Sequence, residues 1–525
     1  MVKVLISDKM SPKAAEVFAE RGIEAHEKPG LDKDELREII GEYDGIAVRS
    51  ATKISPKLLE AADNLKVIGR AGIGVDNIDL PAATARGVVV MNTPFGNSIT
   101  TAEHAIAMML SLARNIPPAS ASIHDGKWEK SKFMGVELAG KTLGIIGCGN
   151  IGSIVADRAQ GLKMKVIAFD PYLSPERAEE LGVGKVELDA LFRRADVISL
   201  HTPLTNKTRN IVDADAIASM KPGVRIVNCA RGGLVDEAAL KAALDSGHVA
   251  GAALDVFAEE PPEGNPLLGH EKLVATPHLG ASTTEAQVNV AIQIAEQMSD
   301  YLLTGGVTNA LNMPSMTAEE APRLKPYMAL AREIGAFAGQ LARSGIKRVS
   351  IEYEGHVASL NTKPLSAVVL EGLLQPVLES VNMVNAPVLA RERDIDVSEV
   401  VHEREGDYHT LIRLSVTTEK RTRTLAGTLF SNRAPRIVQV QDVPLEAELA
   451  ENMLYIVNDD RPGFIGALGS ALGKHGINIA TFNLGRSPSG GYAVCLIAVD
   501  QPIGKDVLDD VAALDYVQQA TRLTF

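Results

Sequence analysis

Along the first hundred residues, short apolar runs alternate with segments whose apolar positions recur every three or four residues. VKVLIS, DGIAVRS, LKVIGRAG and GVVVMNT read as strands, and SPKAAEVFAERG and SPKLLEAADN between them as amphipathic helices. That alternation implies a parallel sheet wrapped by helices. A second series begins at residue 141. Its strands are KTLGIIG, MKVIAFD, DVISLHTP, VRIVNCARG, GAALDVF and KLVATPH, and six strands with helical patterns between most of them suit a doubly wound sheet. Two long helical patterns bracket this series and read as connectors between two lobes. One is SITTAEHAIAMMLSLARN from Ser98; the other, STTEAQVNVAIQIAEQMSDYLL, opens on the capping-box spacing Ser282–Glu285.

After LNMPSM, at 311–316, the pattern changes. A helical pair over about 319–343 and 364–390 precedes the strands YHTLIRLSVTT, TRTLAGTLF and PRIVQVQ. The last 75 or so residues run strand, helix, strand, strand, helix, strand, a ferredoxin-like βαββαβ order. The fold class expected is therefore α/β. Two lobes of doubly wound, Rossmann-like parallel sheet are followed by an α+β domain and a ferredoxin-like one. The expected boundaries are 1–97 with 282–314 for a discontinuous first lobe, 98–281 for the second, then 317–450 and 452–525.

Composition narrows the function classes. At 525 residues the chain exceeds one core and should hold about three or four domains. Its 46% hydrophobic and 23% charged content is that of a globular protein in water. No apolar run approaches the ~18 residues of a membrane helix, and MVKVLISDKM reads as a strand, not a signal peptide. Three cysteines, Cys148, Cys229 and Cys495, cannot make a disulfide framework and show no metal-ligand spacing, which suits a reducing cytoplasm and predicts no metal. A net charge of −13 argues against nucleic acid and requires any anionic substrate to find its cations gathered locally.

GIIGCGNIG sets Gly147, Gly149 and Gly152 in the GxGxxG spacing after an apolar strand and at the head of a helix. Asp170 ends the next strand, 23 residues after Gly147, where a ribose-binding carboxylate belongs. The acid would repel the 2′-phosphate of NADP, and Pro171 and Tyr172 after it offer no arginine, so the cofactor expected is NAD. In an open α/β sheet, ligands sit beyond the carboxyl ends of the strands. Asp170, Thr202, Arg231, Asp255 and His278 follow successive strands there. Arg231 offers a planar fork for a carboxylate. His278 can take and return a proton near neutral pH. An acid in DVFAEEPP, Glu259 or Glu260, could hold the ring in one tautomer. These are the parts needed to oxidise a 2-hydroxy acid.

The run GCGNIG, Asp170, HTP, NCARGGLVDE, DVFAEEPP, ATPHLGAST resembles the D-isomer-specific 2-hydroxyacid dehydrogenases over residues 1 to about 314. Within that family the layout is similar to the long-form branch that oxidises 3-phosphoglycerate in serine biosynthesis. The resemblance implies Arg231 as carboxylate binder, His278 as acid/base and Glu260, directly before the proline, as its orienter. It implies cofactor contacts from Gly147, Gly149, Asn150, Ile151, Gly152, Asp170, Thr202, Cys229, Ala230, Asp255 and Gly280, with Asp255 receiving the nicotinamide carboxamide. VRSATKIS, GRAG and FGNS imply substrate binding by Arg49, Ser50, Arg70 and Asn97, with Lys53, Ser98, Lys130 and Lys132 as further candidates. Ile73 stands where relatives often carry threonine. The terminal module resembles an ACT domain, in which Asn458, Asp460 and Asn478 occupy the positions that hold an L-serine effector. Asn458 departs from the tyrosine or histidine of some relatives. Residues 317–450 resemble the intervening domain of the long form; their Arg421, Arg423, Arg433 and Arg436 read as a solvated strand face. A homo-oligomer, a tetramer, is expected. The rival readings are a dehydrogenase of lactate, glycerate or glyoxylate, which would stop near the end of the two-lobed core, and a non-catalytic NAD-sensing corepressor.

Overall fold

Four β-sheets carry the chain in its computed structural model, which describes every residue except 95, 343, 379, 403–405 and 489–490. The chain divides into two compact units, Met1–Asn92 with Ile294–Phe525, and Thr93–Gln293.

The second unit is built on a seven-stranded sheet. Across it lie Leu273–Ala275, Val249–Leu254, Val224–Asn228, Val197–Leu200, Thr142–Ile146, Lys165–Phe169 and Gly184–Lys185, every neighbour parallel. The chain starts in the middle at Thr142, winds to one edge, then returns to Val197 and winds to the other. That reversal puts the crevice between the ends of Thr142–Ile146 and Val197–Leu200. Helices cover both faces, so the central strands are apolar on both sides; Val197, Ile198 and Leu200 have no exposed surface. The expected six strands gain a seventh, Gly184–Lys185, whose two exposed residues carry no apolar signal. A second correction concerns the helix after His278. It runs Thr284–Thr304, and Thr283 caps it by accepting from the Ala286 amide at 3.2 Å. Ser282, the expected cap, instead closes a turn by donating its amide to the Leu279 carbonyl at 2.8 Å.

The first unit opens on a five-stranded parallel sheet ordered Glu24–Glu27, Lys3–Ile6, Gly45–Val48, Val67–Arg70, Val89–Asn92. The edge strand Glu24–Glu27, EAHE, escaped the reading because an edge carries no apolar run. A six-stranded sheet follows, with Ile346–Gly355, Asp396–His402 and Val443–Ala447 added to the three strands expected. Helices Ala321–Leu341 and Lys363–Leu374 pack together, Gly335 and Gly372 letting the backbones meet: a Cβ on either would overlap a carbonyl of the facing helix. The helix expected over 364–390 is broken. Pro376 has no N–H to continue it, and beyond it Asn382 and Asn385 capture amides in their own turn before Ala386–Glu392. The terminal sheet is ordered Ile479–Arg486, Tyr492–Val499, Asn452–Asp459, Val517–Thr524, all antiparallel, as the βαββαβ reading requires.

Side-chain amides stitch these layers. Asn312 accepts from the Val90 amide at 2.9 Å and donates to the Val88 carbonyl at 2.8 Å and the Thr84 hydroxyl at 3.1 Å. Asn382 donates to the Gly87 carbonyl at 3.0 Å. Gln340 takes both backbone groups of Thr524, at 2.9 Å each. Arg423, expected on a solvated face, is 7% exposed; of the same group Arg436 pairs with Glu448 at 3.0 Å and Arg421 reaches Gln519 at 3.1 Å.

Candidate active site

The strand Thr142–Ile146 ends in a turn that only glycine could make. Gly147 has φ +91°, and a Cβ there would sit 2.5 Å from the His201 carbonyl. A Cβ on Gly152 would overlap the Gly147 carbonyl, so this glycine lets the helix Asn150–Gly161 start against the turn. Gly149 differs: its missing Cβ faces no protein atom within 4 Å, leaving open space at the helix N-terminus that fits a pyrophosphate. Asp170 braces the turn, accepting from the Cys148 amide at Oδ2 and the Tyr172 amide at Oδ1, each at 2.8 Å, and each oxygen keeps a lone pair for ribose hydroxyls. Thr202 follows His201, whose ring bonds Ser199 at 2.8 Å and is pushed by burial down to about 4, hence neutral. Burial raises the thiols of Cys148, to about 11, and Cys229, which keeps both protonated near neutral pH.

Arg231 sits in a turn pinned by a residue the sequence reading passed over. Asn228, 2% exposed, accepts from the Ala230 amide at 3.0 Å and donates to the Arg231 carbonyl at 2.8 Å. The following Gly232 threads past the Phe257 carbonyl, which a Cβ would overlap. The Arg231 guanidinium donates to the Ala230 carbonyl at 2.6 Å. An asparagine at the end of an apolar strand was the available signal.

His278 and Glu260 come together: Nδ1 of the ring lies 2.7 Å from Oε2, while Oε1 accepts from the Phe257 amide at 3.1 Å. The Glu260 contact holds the imidazole above its ordinary pKa against the opposing effect of burial. Burial would raise Glu260, but the bonds from His278 and Phe257 outweigh it and hold the carboxyl below its usual range. His278 has φ 55°, a left-handed backbone that the surrounding loop must enforce. Asp255, 1% exposed, supplies that enforcement by accepting from Thr276, Leu279 and Gly280 at 2.6 to 2.8 Å. Beside the pair opens a cavity of about 430 Å³, walled by Phe257, Pro261, Pro262 and Leu268.

Of the substrate candidates, Arg49 and Ser50 lie in a loop strapped by two residues not foreseen. Asp8, 5% exposed, accepts from the Arg49 amide at 2.6 Å and the Thr52 hydroxyl at 2.6 Å; Asn77 holds the Arg49 carbonyl at 2.7 Å. Arg70 ends the strand Val67–Arg70, and Gly72, φ +145°, leaves room for its guanidinium, which a Cβ would overlap. Asn92 ties the loop by donating to the Ile73 carbonyl at 2.6 Å. Asn97, in the other unit, is 8% exposed, and its Oδ1 has no hydrogen-bond partner among the described residues. Ser98 is buried and turns its hydroxyl back to Pro94; Lys53, Lys130 and Lys132 are exposed. In the terminal sheet Asn458 is 2% exposed and bonded to Asp459, Asp460 lies 3.3 Å from Arg486, and Asn478 donates to Asp500 at 2.6 Å. No bond links those three to one another.

Comparison with known proteins places these motifs. Residues 106–280 match the D-isomer specific 2-hydroxyacid dehydrogenase NAD binding domain, 323–441 the D-3-phosphoglycerate dehydrogenase intervening domain, and 452–515 the ACT domain. The chain is 43% identical to the D-3-phosphoglycerate dehydrogenase of Synechocystis over 99% of its length and 94% of that protein. It is 43% identical to the enzyme of that name from Bacillus subtilis, over 97% of each chain. A solved glyoxylate reductase from Paecilomyes thermophila aligns with TM-score 0.55 and 31% identity, covering 59% of this chain and 98% of its own.

Proposed function

The chain belongs to the D-3-phosphoglycerate dehydrogenase family and is an NAD-dependent oxidoreductase, and from that premise we propose that it oxidises 3-phospho-D-glycerate to 3-phosphohydroxypyruvate, the first step of serine biosynthesis. One observation carries the mechanism: the ring of His278 is anchored at Nδ1 by Glu260 and half exposed. Nδ1 is engaged as a donor, so neutral His278 presents Nε2 as the base. Nε2 takes the C2 hydroxyl proton, the C2 hydrogen leaves as hydride, and the C2–O bond becomes a carbonyl. Arg231 binds the substrate carboxylate. Bound NAD supplies the hydride acceptor. In reverse, protonated His278 returns the proton to the carbonyl oxygen.

We assign the cofactor to Gly147, Gly149, Asn150, Ile151, Gly152, Asp170, Thr202, Cys229, Ala230 and Gly280. Asp255 is retained as the carboxamide contact implied by the family pattern, although its side chain has no exposed surface here. Arg49, Ser50, Arg70 and Asn97 take the substrate, and 1–97 with 282–314, 98–281, 317–450 and 452–525 are the domain boundaries we propose. The match to an ACT domain supports L-serine as effector at Asn458, Asp460 and Asn478. Exposed Ile116, Ile123, Trp128 and Met134 support burial against further copies, in a homotetramer. Three free, buried cysteines support a cytoplasmic protein, and no helix among the described residues is long and apolar enough to cross a membrane. The glyoxylate reductase covers 59% of this chain, leaving the intervening and ACT segments unaccounted for by a plain 2-hydroxyacid dehydrogenase. The test is NADH oxidation with phosphohydroxypyruvate beside hydroxypyruvate and pyruvate. Preference for the phosphorylated ketone is expected; equal rates with the others would defeat the substrate assignment.

A further inference from the structure

Beneath the Glu260–His278 pair lies a second carboxylate–histidine pair. Asp255 is 1% exposed, and three donors converge on its carboxylate. At Oδ1 these are the Thr276 hydroxyl at 2.6 Å and the Leu279 amide at 2.7 Å; at Oδ2 it is the Gly280 amide at 2.8 Å, and Nε2 of His104 lies 3.2 Å from Oδ1. The Asp255 carbonyl also accepts from the His278 amide, at 2.9 Å. One residue therefore grips the loop before, at and after His278. A carboxylate buried this deeply pays heavily for any missing donor.

Those three donors come from the loop itself. His104 comes from elsewhere, the helix Ser98–Ala113, and bonds the Thr276 hydroxyl. Its tautomer follows from its neighbours. The one proton of the Thr276 hydroxyl goes to Asp255, so that hydroxyl meets Nε2 of His104, 3.2 Å away, as an acceptor. Nε2 must carry the hydrogen. The loop needs an outside anchor because it holds His278 at φ 55°, where non-glycine backbone is strained and persists only when its surroundings dictate it.

We infer that His104 is a positioning residue for the reaction: its Nε2–H fixes the Thr276 hydroxyl, that hydroxyl is held on Asp255, Asp255 fixes residues 276–280, and that loop keeps the His278 ring against Glu260. The inference rests on reading His278 as the proton carrier. The charged groups around that ring are Glu260, Asp255 and Arg231. Around His104 they are Asp255 and, uncharged, Thr276, whose hydroxyl also lies 3.8 Å from the Met108 sulfur.

The test compares His104→Leu and His104→Gln in the full chain, with His278→Asn as reference. NADH oxidation by phosphohydroxypyruvate is followed across pH, alongside NADH binding by fluorescence and the thermal midpoint. His104→Leu should lower kcat by about tenfold while KM and NADH affinity stay within about twofold. Its alkaline limb should move to lower pH, because a ring displaced from Glu260 loses the contact that raises its pKa. His104→Gln, which keeps an N–H donor at similar reach, should recover most of kcat and the limb. Wild-type turnover in His104→Leu, equal damage in both variants, or a loss confined to the thermal midpoint would each overturn the inference. If His278→Asn itself keeps full turnover, the reading of His278 has failed, and the role of His104 falls with it.

Discussion

The His278 loop and the ACT-domain trio use the same kinds of side chain to opposite ends. Around His278, the bonds that Glu260 and Asp255 accept tighten the loop and leave Nε2 of the ring as the nitrogen proposed to meet substrate. In the ACT domain, Asn478 is bonded to Asp500, Asp460 to Arg486, and Asn458 is turned into the sheet. An arriving effector must exchange those bonds for its own, a swap whose net gain is about 1 kcal/mol per hydrogen bond. Rate acceleration rests on geometry already formed, whereas the proposed regulation rests on partners that can be traded.

Three changes sharpen the contrast. His278→Asn should lower kcat by about 10² to 10⁴, the range of general acid–base help, with NADH binding unchanged by fluorescence titration. Glu260→Gln comes next. It removes the charge that raises His278, so ketone reduction, which needs the protonated ring, should lose rate at a lower pH than in the wild type; a limb that stays put would break the pairing. The same pair shapes stability. His278 is raised, so its contribution is complete below the ordinary histidine range and is lost as pH climbs through the raised value. Glu260 is lowered, so its share is complete above the ordinary carboxylate range and is lost as pH falls through the lowered value. Urea titrations should therefore show the pair strongest between those two limits. The smallest effect is expected of Asp500→Ala, which frees the Asn478 amide. The thermal midpoint should move by no more than about 2 °C and basal kcat should hold, while the serine concentration for half effect shifts.

How much of this was legible follows from the kind of signal each feature leaves. The central strands of both parallel sheets are apolar runs, and the GxGxxG turn carries glycines at 147 and 152 where a Cβ would overlap backbone. The strands missed are polar edges, such as EAHE at Glu24–Glu27, or Ile346–Gly355, where alternating Val349, Ile351 and Tyr353 lie between two helical patterns that draw the eye first. Arg231 and His278 were legible as candidates because each follows a strand, whereas Glu260 was separated from Glu259 only by the family resemblance. Asn228, Asp8, Asn77 and His104 were not, because their work is to bond backbone, or a hydroxyl held on a buried carboxylate, brought near only by folding. Arg423 was misjudged for the same reason: its strand has no single solvated face once the ACT sheet packs beside it.

Asn312 carries a lesson for anyone recombining these domains. Chimeras are commonly spliced where a linker looks featureless, and LNMPSM invites a cut at its start. Yet the three bonds of Asn312 reach Thr84, Val88 and Val90, so this linker residue is a fastening of the N-terminal sheet. A donor core grafted at residue 311 would arrive without its clasp, and the Val90 amide would lose its acceptor. A seam placed after Met316 would carry the fastening along with the part it fastens.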